Sequence, residues 1–190
     1  KLIDFAYKYE PKFNKNEDGE IDFLNGTENE QEKRNIGLDI CRANGCDYFM
    51  TIDTDEFYNK EQFVWAKKDF LLGDYDTSFC QMQTYYKKPT LAVSPPETYY
   101  CPLFYKIKPS TKFTYDFAPP YPVEIDPTRR VVAGYSRIYE RKEIEMHHFS
   151  YVRNNIESKI INTSAQMDSV SQKEVIFHFN NFTSIDDGAL

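Results

Sequence analysis

The chain has 190 residues, a net charge of −7, 28% charged and 41% hydrophobic residues; these values fit one ordinary globular domain spanning residues 1–190 and exclude a fibrous or low-complexity chain. The acidic balance argues against a non-specific nucleic-acid binder, since attraction to phosphate needs a basic surface, but leaves room for a nucleotide held through a metal ion. No window approaches the apolar length of a membrane span.

Aromatic content is high, with 15 Tyr, 15 Phe and the single Trp65. Most of these rings read as core and rim, although Tyr, with a flat apolar face and a polar tip, also suits stacking on a sugar or a base. The four cysteines, Cys41, Cys46, Cys80 and Cys101, have no zinc-type pairing. The Cys41/Cys46 spacing across a helix exit is poor for a disulfide, so reduced thiols and a cytoplasmic location are expected, peripheral to a membrane only through missing regions.

In chain order, Lys1–Glu10 reads as a strand or short helix that starts in mid-pattern without Met, as a fragment would. Residues 11–27 are polar and turn-rich, with room for a short strand at 20–24. The run Asn16-Glu-Asp-Gly19-Glu lacks the alternating acids and terminal Glu of a calcium loop. Thr27-x-x-Glu30 fits a capping box, and Ile36, Ile40 and Ala43 share a face, predicting a helix over about 28–44 that ends at Asn44-Gly45. A buried strand is expected at 47–53, then an amphipathic helix at 60–72 closed by Gly73. Strands follow at 76–86 and 99–107, an irregular aromatic loop at 109–130, a strand at 145–152, and helices at 153–163 and 168–182. The pattern is α/β, with Asp53 at a strand's carboxyl end, where open α/β sheets bind ligands.

The residues that carry chemistry are Asp53, Asp55 and Glu56, three acids in four positions after an apolar run. Carboxylates at i and i+2 point the same way while the chain stays extended. Mutual repulsion makes the cluster costly unless a hard cation such as Mg²⁺ or Mn²⁺ sits between it and a phosphate. Imidazole suits Mn²⁺ as a further ligand, and of His147 and His148, which face opposite sides of a strand, His148 is the better candidate. His178 reads as structural. Arg34 and Asn35 point away from the Ile36/Ile40 stripe toward a ligand beside Asp53. Arg153, near His148, could meet a phosphate, whereas Arg129, Arg130, Arg137 and Arg141 read as surface. No Gly-x-Ser-x-Gly, phosphate-binding glycine loop or Gly-x-Gly-x-x-Gly is present.

The segment Glu32-Lys-Arg-Asn-Ile-Gly-Leu, followed by Gly45-Cys-Asp-Tyr-Phe-Met-Thr-Ile-Asp-Thr-Asp-Glu56, resembles the central segment of GT-A-fold glycosyltransferases, particularly family-two-like ones. There an Arg-Asn-bearing helix precedes a hydrophobic strand ending in a DxD motif; His148-Phe-Ser-Tyr-Val-Arg153 matches more loosely. The resemblance implies a GT-A-like, Rossmann-related mixed sheet flanked by helices, lacking its first strand. It also implies a hexosyltransferase-type enzyme that moves a sugar from a UDP-linked donor to a glycan or other acceptor. Mn²⁺ or Mg²⁺ would be held by Asp53, Asp55 and His148, with Asp53 also near the ribose and Arg34, Asn35 and Arg153 near the nucleotide. Asp53 and Asp55 would carry the catalysis by neutralising the leaving diphosphate. The general base of inverting members has no motif here; Glu97, Asp116, Glu124 and Asp126 all remain open. A divalent-metal phosphoesterase or nucleotidyltransferase, and a non-catalytic carbohydrate-binding module, are the alternatives.

Overall fold

A computed structural model describes residues 23–114, 129–131, 134–161 and 169–182. Helix α1 (Phe23–Ala43) leads to a short strand β1 (Tyr48–Phe49), then β2 (Glu56–Tyr58) and helix α2 (Lys60–Leu72). Strands β3 (Thr77–Tyr86), β4 (Tyr100–Lys106), β5 (Ser136–Ile138) and β6 (Glu145–Tyr151) follow, then α3 (Glu157–Ile161) and α4 (Ser169–Asn181).

These elements form a mixed α/β structure around one mixed sheet. Its order is β1-β4-β3-β6-β2, with β5 also paired to β3. Strand β3 is the long central member, as its buried run Thr77-Ser-Phe-Cys80 requires. One edge of β3 pairs antiparallel with β4; the other is shared in parallel by β5, along Thr77–Phe79, and β6, along Gln81–Tyr86. Phe104 and Tyr105 of β4 point to opposite faces, while a bulge opposite Ser78 lets Leu103 share the face of Phe104. Phe104 joins Ala66 and Phe70 of α2, with Met82, Leu103, Tyr139, Ile144 and Met146. Tyr105 joins Leu38 of α1, with Phe113, Val131 and Phe49. The two helices therefore cover opposite faces. A third cluster, Ile156, Ile160 and Phe179, packs α3 on α4 against Tyr86 and Tyr151.

Several expectations match this architecture. Helix α2 spans the predicted 60–72: the Asn59 side chain accepts hydrogen bonds from the Glu61 and Gln62 N–H groups at 3.0 and 3.2 Å, and Gly73 ends the helix. Strands β3, β4 and β6 and helix α4 lie within a residue or two of their predicted places. Others differ. Helix α1 begins at Phe23, so Thr27 lies inside it and not at its start, and residues 23–24 are helix, not strand. Its core contact is Leu38, while Ala43 is exposed. The helix expected from 153 starts only at Glu157, in α3 (Glu157–Ile161), and residues 162–163 lie outside the described residues. Only Tyr48–Phe49 of the 47–53 run pairs as a strand; β2 and β5 are too short to leave a periodic signal. The expectations for residues 1–22 and for most of the 109–130 loop lie outside the described residues. Among the described residues, no helix is long and apolar enough to cross a membrane.

Candidate metal and phosphate site

The acids sit on a turn between β1 and β2. The Glu56 N–H donates to the Asp53 carbonyl at 3.1 Å, and the Asp53 N–H donates back to the Glu56 carboxylate at 3.1 Å. This double closure curls residues 53–56, so Asp53 and Asp55 are not neighbours on one extended face as the i, i+2 spacing suggested. The physical reason is their repulsion, which the turn relieves by sending each carboxylate to a different cation.

Glu56 is the buried member, its side chain only 2% exposed, and it forms a two-pronged salt bridge with the guanidinium of Arg129, itself 3% exposed. The same guanidinium reaches Asp53 Oδ2 at 2.8 Å. Arg34 stands 4.0 Å from that oxygen and 3.4 Å from Glu30. Burial works against ionising Asp53, but the charges of Arg129, Arg34 and Lys33 outweigh it and hold the carboxyl below its usual range. Asp55 turns the other way, with Arg153 at 3.4 Å and His148 Nε2 at 3.9 Å. Strand β6 delivers that histidine: Glu56 pairs with His148, and the Phe149 N–H donates to the Asp55 carbonyl at 2.8 Å. Burial lowers the His148 pKa despite the opposing pull of Asp55 and Glu56, which favours the neutral, ligating form.

The expected residues thus divide. Asp53 stands with Arg34 on one side of the turn, and Asp55 with Arg153 and His148 on the other. Asn35 joins neither: its carboxamide pairs with the Phe113 backbone, accepting from the N–H at 2.9 Å and donating to the carbonyl at 3.1 Å. His147 lies on the opposite side of β6 from His148, as alternation requires, and its Nδ1 is 2.9 Å from the Tyr85 hydroxyl. His178 falls in α4, outside this cluster. Glu97 accepts at its carbonyl from Arg141, and one of its carboxylate oxygens is buried without a hydrogen-bond partner among the described residues. Asp116, Glu124 and Asp126 lie outside the described residues.

Arg129 is the residue sequence reasoning missed, since it read as surface. It comes from a Pro- and charge-rich segment with no periodicity, 73 positions from Glu56. The only hint was the imbalance of three adjacent acids, which needs a buried cation from elsewhere. Arg137 and Arg141 are partly buried and engaged in ion pairs, Arg137 with Asp69 and Glu143 and Arg141 with Glu145.

Among the described residues, no three His, Cys, Asp or Glu side chains are gathered as a set ready to hold an ion. The pair that fits a divalent cation is Asp55 with His148, a hard carboxylate and a neutral imidazole 3.9 Å apart. Asp53 is held by arginines instead. Chemically, three acids alternate with three arginines, a near-neutral cluster able to take a cation and an anion together. No protein-family model and no curated protein matches the chain.

Proposed function

We propose that this chain is a metal-dependent glycosyltransferase whose Asp53–Glu56 turn binds the diphosphate of a nucleotide-sugar donor, UDP-linked by the resemblance of the segment around the DxD. The observation that carries this reading is the interleaving of Arg34, Arg129 and Arg153 with Asp53 and Asp55 at the end of β1. Arginine presents paired N–H donors that match phosphate oxygens. A generic cation site would not surround its carboxylates with guanidinium groups.

Each residue has a distinct task. Asp55 and His148 would hold Mn²⁺ or Mg²⁺, with phosphate oxygens completing the shell. The ion supplies Lewis-acid neutralisation of the departing diphosphate. Arg153 moves from Asp55 to phosphate, and Arg34 faces the nucleotide beside Asp53. Glu56 and Arg129 keep the turn in place without contacting the donor.

The charge balance favours joint binding. The cluster is near neutral, so a lone Mn²⁺ raises its charge by two and a lone UDP lowers it, while the pair leaves it almost unchanged. Thermal unfolding with Mn²⁺, UDP and both is expected to show a shift for the pair larger than the sum of the two alone, and none in Asp55→Ala. UDP-sugar hydrolysis should follow the same pattern. Absence of any shift with UDP and Mn²⁺ together refutes the donor site. Saccharide binding indifferent to metal, with no nucleotide response, supports the carbohydrate-binding module instead.

A further inference from the structure

On the other side of β6 from His148, an open groove of about 570 Å³ is lined by Phe57, Tyr58, Asn59, Pro89, His147 and Phe149. Phe57 is 55% exposed and meets Phe149 edge-on at 5.4 Å; Tyr85 stacks on Phe149 at 4.6 Å with planes 11° apart. These rings are buttressed rather than loose, and leaving them in water is unfavourable. Among the described residues, no lysine, arginine or carboxylate lines the groove, so a second phosphate or a charged peptide has no partner among them.

The polar groups of the groove are few and placed. Asn59 uses its side-chain oxygen to cap α2, which leaves its NH₂ donors for another partner. His147 shares a hydrogen bond with Tyr85 through Nδ1, leaving Nε2 without a partner among the described residues. An apolar floor with a neutral hydrogen-bonding edge matches a ligand of the same make-up: the CH face of a pyranose ring, edged by hydroxyls. A purely hydrocarbon ligand would cover these polar atoms and leave them unsatisfied.

The groove is also joined to the acid turn. Phe57 lies two residues beyond Asp55, Phe149 follows His148, and the Phe149 N–H is bonded to the Asp55 carbonyl at 2.8 Å. We infer that this groove is a saccharide-binding subsite, taking a neutral pyranoside with its ring against Phe57 and Phe149. Its acceptor role, holding a sugar unit of a longer acceptor away from the reacting centre, rests on the nucleotide-sugar reading.

Saturation-transfer NMR with methyl β-D-glucopyranoside, methyl β-D-galactopyranoside and lactose tests the site, with 1-hexanol as the apolar probe. At least one saccharide is expected to bind, with the strongest transfer on its ring CH protons. Phe57→Ala, at a position 55% exposed and with its fold checked by thermal unfolding, should weaken that binding about tenfold, as loss of one stacking ring predicts. His147→Gln should weaken it too, whereas Asp55→Asn should leave it unchanged. Saturation of 1-hexanol alone, no saccharide response, or equal binding by Phe57→Ala overturns the assignment. The two readings fail separately: saccharide binding that persists without any UDP and Mn²⁺ response removes the donor site and with it the acceptor role. A UDP and Mn²⁺ response beside unchanged saccharide binding in Phe57→Ala removes the groove alone.

Discussion

At the scale of single residues, Glu56 and Asp53 look alike in composition and differ in environment. Glu56 is buried against Arg129 and closes the turn through the Asp53 N–H, so removing its charge leaves a buried guanidinium only partly compensated. Glu56→Gln is expected to lower stability by about 3 kcal/mol in urea unfolding. Asp53→Asn, at a half-exposed carboxylate, should cost less than about 1 kcal/mol while impairing nucleotide binding. The titrations have opposite causes and the same sign. His148 has a lowered pKa in the fold, so the unfolded chain binds more protons between that value and the ordinary value of about 6.5. The stability linked to His148 is complete above that pH and declines as the pH falls below it. His148→Gln should flatten the slope of unfolding free energy between about pH 7 and 5. The Asp53 contribution is present above its ordinary carboxylate range and disappears only on further acidification.

At the scale of elements, the exit of α1 sets where the acid turn begins. The Gly45 N–H donates to the Arg42 carbonyl at 2.9 Å and the Cys46 N–H to the Cys41 carbonyl at 3.0 Å, with Gly45 at φ 69°. This paired bonding is a Schellman motif, and the left-handed backbone at its turn residue favours glycine. Gly45→Ala should reduce stability by about 1 kcal/mol in thermal or urea unfolding, although open space surrounds the position. This stop was legible in Asn44-Gly45, and α2 was legible from its apolar spacing and Asn59. The start of α1 was not, because a local capping pattern at Thr27 does not exclude a helix already running through it. Strand β2 was equally hidden: three residues carry no periodicity, and Glu56-Phe-Tyr58 is a strand only because β6 lies beside it.

At the scale of the whole molecule, the sheet converts a short acidic motif into a site with two sides. Strand β6 carries His148 toward Asp55 on one side and His147 with Phe149 toward the aromatic groove on the other. One strand thereby carries residues of both the proposed donor site and the proposed saccharide groove. The amino-acid sequence by itself determined the α/β character, the main strands and the candidacy of Asp53, Asp55, Arg34, Arg153 and His148. These follow from local periodicity and side-chain chemistry, which a linear chain displays. Only the tertiary structure decided how the charges were partnered: Asp53 with Arg129 and Arg34, Asp55 with Arg153 and His148, and Asn35 with Phe113. Coulomb attraction and hydrogen bonding act through space at a few ångströms, so their outcome depends on which distant segments the core brings together. No spacing along the chain records that.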